Sequence, residues 1–201
     1  MSEARVHLID DDADARDSLS FLLETADVAA TAYATASAFL AVAADARGCI
    51  VTDIRMPEMD GLTLLARLND MGVRLPTIVI TGHADVPMAV QAMKLGAADF
   101  IEKPFSEGLL LAAVRRAMET GASTSRRAPQ GAMYAERFAG LTLREREVLD
   151  GLVAGKSNKA IGRDLDISPR TVEIYRANVM TKARAESLSE LVRMAMIAGL
   201  A

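Results

Sequence analysis

The chain has 201 residues, the length of one large domain or two ordinary ones, and with 51% apolar and 25% charged residues it is not globally disordered. No stretch of about 18 apolar residues is free of charge, and no basic N-terminal region precedes a long apolar core, so neither a membrane span nor a secretory leader is expected. The net charge of −4 hides an asymmetry: residues 1–120 hold 10 basic and 18 acidic side chains, net −8, and 121–201 hold 13 and 9, net +4, so a polyanionic partner suits only the second half.

Residues 6–9 form an apolar strand that ends in Asp10, Asp11 and Asp12, and a helix over 15–24 then places Leu19, Leu22 and Leu23 on one face. A strand around 28–33 and an Ala-rich helix around Phe39, Leu40 and Val42 follow. Residues 49–53 read as a buried strand whose last carboxylate, Asp53, emerges into a loop marked by Pro57 and Gly61. Cys49, the single cysteine, lies inside this strand; that excludes an internal disulfide framework and fits a reducing, cytoplasmic compartment. Helices over 62–68, 87–95 and 109–118 alternate with strands over 77–80, ending at Thr81 and Gly82, and over 99–102, running into Lys103 and Pro104. Five βα pairs predict an α/β domain over residues 1–120, with a parallel sheet and helices on both faces.

Open parallel sheets bind ligands outside the carboxyl ends of their strands. Parallel pairing therefore brings Asp10, Asp11, Asp53, Thr81 and Lys103 to one edge. Three carboxylates held together repel unless something positive offsets them. A hard divalent cation such as Mg²⁺, which takes oxygen ligands and is often shared with a phosphate, is the obvious partner. Asp53 could then act as a nucleophile toward a phosphoryl donor, with Lys103 balancing charge on the transferring oxygens. The plain alternative is a solvated acidic loop edge with no chemistry. His7, in a buried strand, and His83, in the loop after Thr81, are assigned neither metal nor catalysis.

Ile9-Asp10-Asp11-Asp12, the segment from Asp53 through Pro57 to Gly61, Thr81-Gly82-His83 and Lys103-Pro104-Phe105 together resemble the receiver domain of two-component response regulators. The resemblance implies that Asp53 is the phosphoacceptor. It also implies that Asp11 binds Mg²⁺ directly with Asp10 assisting, that Asp53 and the Arg55 backbone carbonyl complete the metal site, and that Lys103 pairs with the phosphoryl group. Thr81 would turn toward that group on activation, and Phe100, at the switch position, would move inward and rearrange the face used for dimerisation. A cis bond before Pro104 is expected as well.

Residues 121–131 are small, polar and turn-rich, and 121–138 are read as a linker. From Leu141 the spacing is helical. Thr142 with Glu145 and Ser187 with Glu190 are capping boxes; Gly155 closes the first helix, a second covers 158–165, and Ser168-Pro169 opens a long third helix reaching about Ala183. Gly162 inside the second helix is expected to cost about 1 kcal/mol relative to Ala. In the long helix Val172, Tyr175 and Val179 mark a core face, and Glu173, Ile174 and Ala177 mark an outer one. Such a helix suits the DNA major groove, with Asn158, Lys159, Arg170, Thr171, Arg176 and Lys182 as candidate phosphate contacts and Glu173 able to accept from cytosine.

Residues 141–149, 155–162 and 168–173 look like the four-helix, LuxR-type helix-turn-helix DNA-binding domain, placed here over 139–201. With the receiver, the whole chain resembles the FixJ subgroup of response regulators. Tyr175 stands where His is frequent, Gly162 where Ala is usual, and Asp12 where Glu is commoner. The implied function is a transcription regulator phosphorylated on Asp53 by a sensor histidine kinase, dimerising on phosphorylation and binding promoter DNA. RNA polymerase is an implied partner, a membrane is not, and its own catalysis is confined to accepting and slowly losing phosphate. Two other readings are open from the residues: a phosphorylation-gated protein-interaction module, and a Mg²⁺-dependent phosphohydrolase.

Overall fold

The computed structural model describes residues 5–82, 86–120 and 127–200. His83 and residues 121–126 of the expected linker lie outside them. Among the described residues, contacts give two compact units, one of residues 5–82 with 94–120 and the other of 86–93 with 127–200.

In the first unit the strands β1 (Arg5–Ile9), β2 (Ala30–Tyr33), β3 (Gly48–Asp53), β4 (Thr77–Thr81) and β5 (Asp99–Glu102) form one parallel sheet in the order β2-β1-β3-β4-β5. Helices α1 (Ala13–Thr25), α2 (Ala36–Leu40), α3 (Gly61–Asp70) and α5 (Glu107–Thr120) intervene or follow, while α4 (Val86–Lys94) leads from β4 to β5. Because side chains alternate along a strand, β1 and β3 serve two cores. Val6, Leu8, Cys49 and Val51 join Leu19, Leu23, Leu110 and Val114 of α1 and α5 on one face. Ile9 and Ile50 join Phe39, Leu64 and Leu68 of α2 and α3 on the other. The chain winds outward from β1 to β2 and the opposite way from β3 to β5, so the direction switches between β1 and β3. That is where a crevice opens in such sheets.

Local chemistry sets the helix starts. Asp12 caps α1 through its carboxylate, accepting from the amides of Asp14 and Ala15, so the helix begins two residues before the apolar spacing suggests. Asp60 caps α3 in the same way. Gly61 has no substitute there, since a Cβ at this position would lie 2.3 Å from the carbonyl oxygen of Asp53.

The second unit contains the four expected helices, α7 (Leu143–Val153), α8 (Asn158–Leu165), α9 (Pro169–Ala183) and α10 (Leu188–Ile197). Another helix comes directly before them in the chain. The stretch read as a linker carries α6 (Arg127–Ala139), which packs against α10 and α9 and buries Phe138 completely. Gly162 also needs a different account. A Cβ there would stand 2.7 Å from the Ile167 carbonyl oxygen, and Ile167 donates its amide to the Gly162 carbonyl at 2.9 Å. The turn between α8 and α9 is closed down on the glycine, so the local helix cost comes with a fit that Ala lacks.

Candidate functional site

Register decides which strand ends meet. Ile9 pairs with Thr52, Asp53 with Ile80 and Thr81 with Glu102, so Asp10, Asp53, Thr81 and Lys103 leave the sheet at one level. Lys103 reaches across: its ammonium lies 2.8 Å from Asp53 Oδ1 and 3.1 Å from Asp10 Oδ2. Both carboxylates are buried, and Thr81 is fully so. The Lys103 amide donates to the Thr81 carbonyl at 2.8 Å, and the peptide bond between Lys103 and Pro104 is cis, as expected. Burial alone works against the Lys103 charge, but hydrogen bonds to Asp53 and Asp10 outweigh it and hold its pKa above the ordinary lysine value.

The two carboxylates are fixed by backbone as well. Asp53 Oδ2 accepts from the Arg55 amide at 2.6 Å and Asp10 Oδ1 from the Asp12 amide at 3.0 Å. Arg16 Nη1 donates to the Asp10 carbonyl at 2.7 Å, a support with no signal in the sequence. Asp11 is exposed, and Phe100 is buried on β5. Among the described residues no three carboxylate, His or Cys side chains gather round a common point; the cation between Asp10 and Asp53 is the lysine. The donors at this edge are nonetheless all oxygen, a set that suits a hard divalent cation.

Neither His7 nor Cys49 competes for a chemical role. The His7 ring is buried against Tyr33 and Phe39 and meets the Tyr33 hydroxyl at 3.3 Å and the Arg47 carbonyl at 3.2 Å. Burial lowers its pKa, the Arg47 carbonyl raises it less, and Arg5 adds to the lowering. Burial also pushes the Cys49 thiol up to about 12, which leaves it protonated and inert.

In the second unit Val172 and Val179 of α9 are buried, whereas Arg170, Glu173, Ile174, Ala177 and Asn178 are exposed along one side. Ile174 is 57% exposed on this side. Ser168 caps this helix, its hydroxyl taking the Thr171 amide at 3.0 Å. Lys159 is exposed at the start of α8; Asn158 beside it is half-buried and its side-chain oxygen is buried with no partner. Arg176 is half-buried. Lys182, expected to be available to a phosphate, is held by Glu145 at 2.7 Å.

The model of the response regulator receiver domain matches residues 6–115, and that of the bacterial regulatory proteins of the luxR family matches 139–195. The transcriptional regulatory protein FixJ of Azorhizobium caulinodans is 56% identical over 198 residues, which cover 98% of this chain and 93% of the relative. FixJ of Bradyrhizobium diazoefficiens is 50% identical over 200 residues, covering 99% and 98%. The crystal structure of full-length FixJ from B. japonicum aligns over 100% of both chains, with a TM-score of 0.58 and 48% identity. The chain belongs to the response regulators.

This response regulator joins a receiver domain to a LuxR-type DNA-binding domain and is a transcription factor. Its receiver implies a histidine kinase partner and its second domain implies DNA binding. No helix among the described residues is long and apolar enough to cross a membrane. What the sequence of this response regulator did not disclose is mostly contact at a distance. The Lys182 pairing with Glu145, across 37 residues, is the example, whereas the Arg16 bond to the Asp10 carbonyl is local but belongs to no motif.

Proposed function

We propose that Asp53 accepts a phosphoryl group from a sensor histidine kinase, and that the change drives dimerisation through the receiver and binding of paired promoter sites. The observation that carries this reading is the Lys103 ammonium bridging Asp10 and Asp53 at the carboxyl edge of a parallel sheet, in a chain of the response regulator family. Asp53 attacks phosphorus through a carboxylate oxygen as the bond to the donor breaks, forming an acyl phosphate. Lys103 already donates to Asp53 Oδ1, which would set its ammonium beside the incoming phosphoryl oxygens, and the Arg55 amide holds the second Asp53 oxygen in place. Asp10, Asp11, Asp53 and the Arg55 carbonyl would hold Mg²⁺, which supplies positive charge to the transferring oxygens. Thr81 and Phe100 then carry the change to the dimer face. Its catalysis ends with slow loss of the same phosphoryl group.

On the DNA side, Arg170, Thr171, Arg176, Asn158 and Lys159 position the domain on phosphates, and Glu173, Ile174 and Ala177 face the bases in the major groove. A cytoplasmic site of action and contact with RNA polymerase belong to the same reading. The test uses the full chain with acetyl phosphate and Mg²⁺. Intact mass should show one added phosphoryl group on the wild type and none on Asp53→Ala, and only the wild type should then move to dimer mass in light scattering. Genome-wide footprints of the two proteins should differ in the same sense. Phosphoryl uptake by Asp53→Ala, or equal footprints, refutes the reading.

A further inference from the structure

The C-terminal end of α9 is held by charged side chains rather than left to water. Lys182 lies in the last turn of α9, and its ammonium is 2.7 Å from Glu145 Oε2 and 3.4 Å from the Gly140 carbonyl. That same Glu145 oxygen accepts from the Thr142 amide at 2.7 Å and from the Thr142 hydroxyl at 2.9 Å. One carboxylate oxygen thus joins the capping box of α7 to the end of α9. Glu145 is buried, while the Lys182 side chain stays 39% exposed, so the pair sits at the edge of the core with its carboxylate end inside. A second cation acts beside it, since Arg137 of α6 donates to the Ala183 carbonyl at 3.5 Å. At 3.6 residues per turn, Lys182 stands about a third of a turn from the middle of the exposed side that carries Arg170, Ile174 and Ala177, and one turn beyond Asn178 at its edge.

We infer that Lys182 and Glu145 are positioning residues for DNA recognition: the pair fixes how the end of α9 is seated against α7, and Lys182 is not a phosphate contact. This rests on the proposal that α9 reads DNA. The consequence runs against simple charge. Glu145→Gln removes a negative charge from a DNA-binding domain, which by electrostatics alone should strengthen binding. If the pair positions α9, the same change weakens selective binding.

The experiment uses the full chain with acetyl phosphate and Mg²⁺, a duplex that the wild type itself selects from random-sequence DNA, and a scrambled duplex. Affinities are measured over a range of salt. For Lys182→Met and Glu145→Gln the expected result is about a tenfold loss on the selected duplex, no more than a twofold change on the scrambled one, and an unchanged salt slope. Lys182→Arg keeps the charge and the reach, and should restore most of the selectivity. Arg170→Ala is the reference for a phosphate contact and should reduce the slope by about one. A drop in folded fraction lowers both affinities together and leaves their ratio unmoved, so an unmoved ratio in both variants overturns the inference. So does a slope reduced by about one in Lys182→Met, or tighter selected binding by Glu145→Gln. A wild type that selects no duplex would instead overturn the DNA-reading role of α9.

Discussion

Gly162 sets a propensity against a contact. An alanine in mid-helix gains about 1 kcal/mol of helix stability over glycine. Its Cβ would sit 2.7 Å from a backbone oxygen, that of Ile167, and backbone cannot swing aside as the end of a side chain can. Overpacking of this kind costs about 1–3 kcal/mol. Because the displaced turn also carries Ser168, the cap of α9, the contact should win. Gly162→Ala is therefore expected to destabilise the chain by up to about 2 kcal/mol net in urea unfolding followed by far-ultraviolet circular dichroism. A rise in the midpoint would show that the turn yields freely.

Among the elements, α7 is built around a charge whose strength depends on pH. The Lys182 hydrogen bond, and then the Thr142 amide, hold the Glu145 carboxyl below its ordinary range. A lowered carboxyl pKa contributes stability that is fully present above the unfolded value, about 4.3 for Glu, and is lost as pH falls through the folded value. Wild type should therefore lose more stability between pH 6 and pH 3 than Glu145→Gln, which has no carboxylate to protonate. Urea midpoints of both proteins across that range measure the difference, and parallel losses would remove the ion pair from the account. The capping box itself was legible, because Thr142 and Glu145 are three residues apart and the motif is local. Lys182 was not, because a contact across 37 residues leaves no periodic trace. The same contrast runs through the receiver. Each strand end announced its own acid, hydroxyl or lysine, and parallel pairing was enough to bring Asp10, Asp53 and Lys103 together. The backbone support came from elsewhere: Arg16 sits on a helix, and Asp12, the third acid after the first strand, spends its carboxylate on the cap of α1.

At the scale of the molecule, the open question is where the DNA-binding unit begins. The composition from Gly121 to Gly131 reads as a linker because Gly, Ser and Pro have low helix propensity. Yet most helical stability in proteins comes from a packed face rather than from propensity. In α6 that face ends in Phe138, wholly buried, while Arg137 reaches the end of α9 and Arg146 of α7 donates to the Phe138 carbonyl at 3.2 Å. Gly131 comes close to the Ile197 carbonyl of α10, with room for a Cβ only at 3.1 Å. Truncating a buried Phe to Ala costs about 3–5 kcal/mol, a large part of the 5–15 kcal/mol that holds a typical domain folded. A fragment of residues 127–201 should therefore melt cooperatively, whereas 140–201, which removes all of α6, should lose most of that transition. Phe138→Ala in the longer fragment separates packing from length and should lower its unfolding free energy by about 3 kcal/mol or more. Equal melting of the two fragments would return α6 to the role of a spacer.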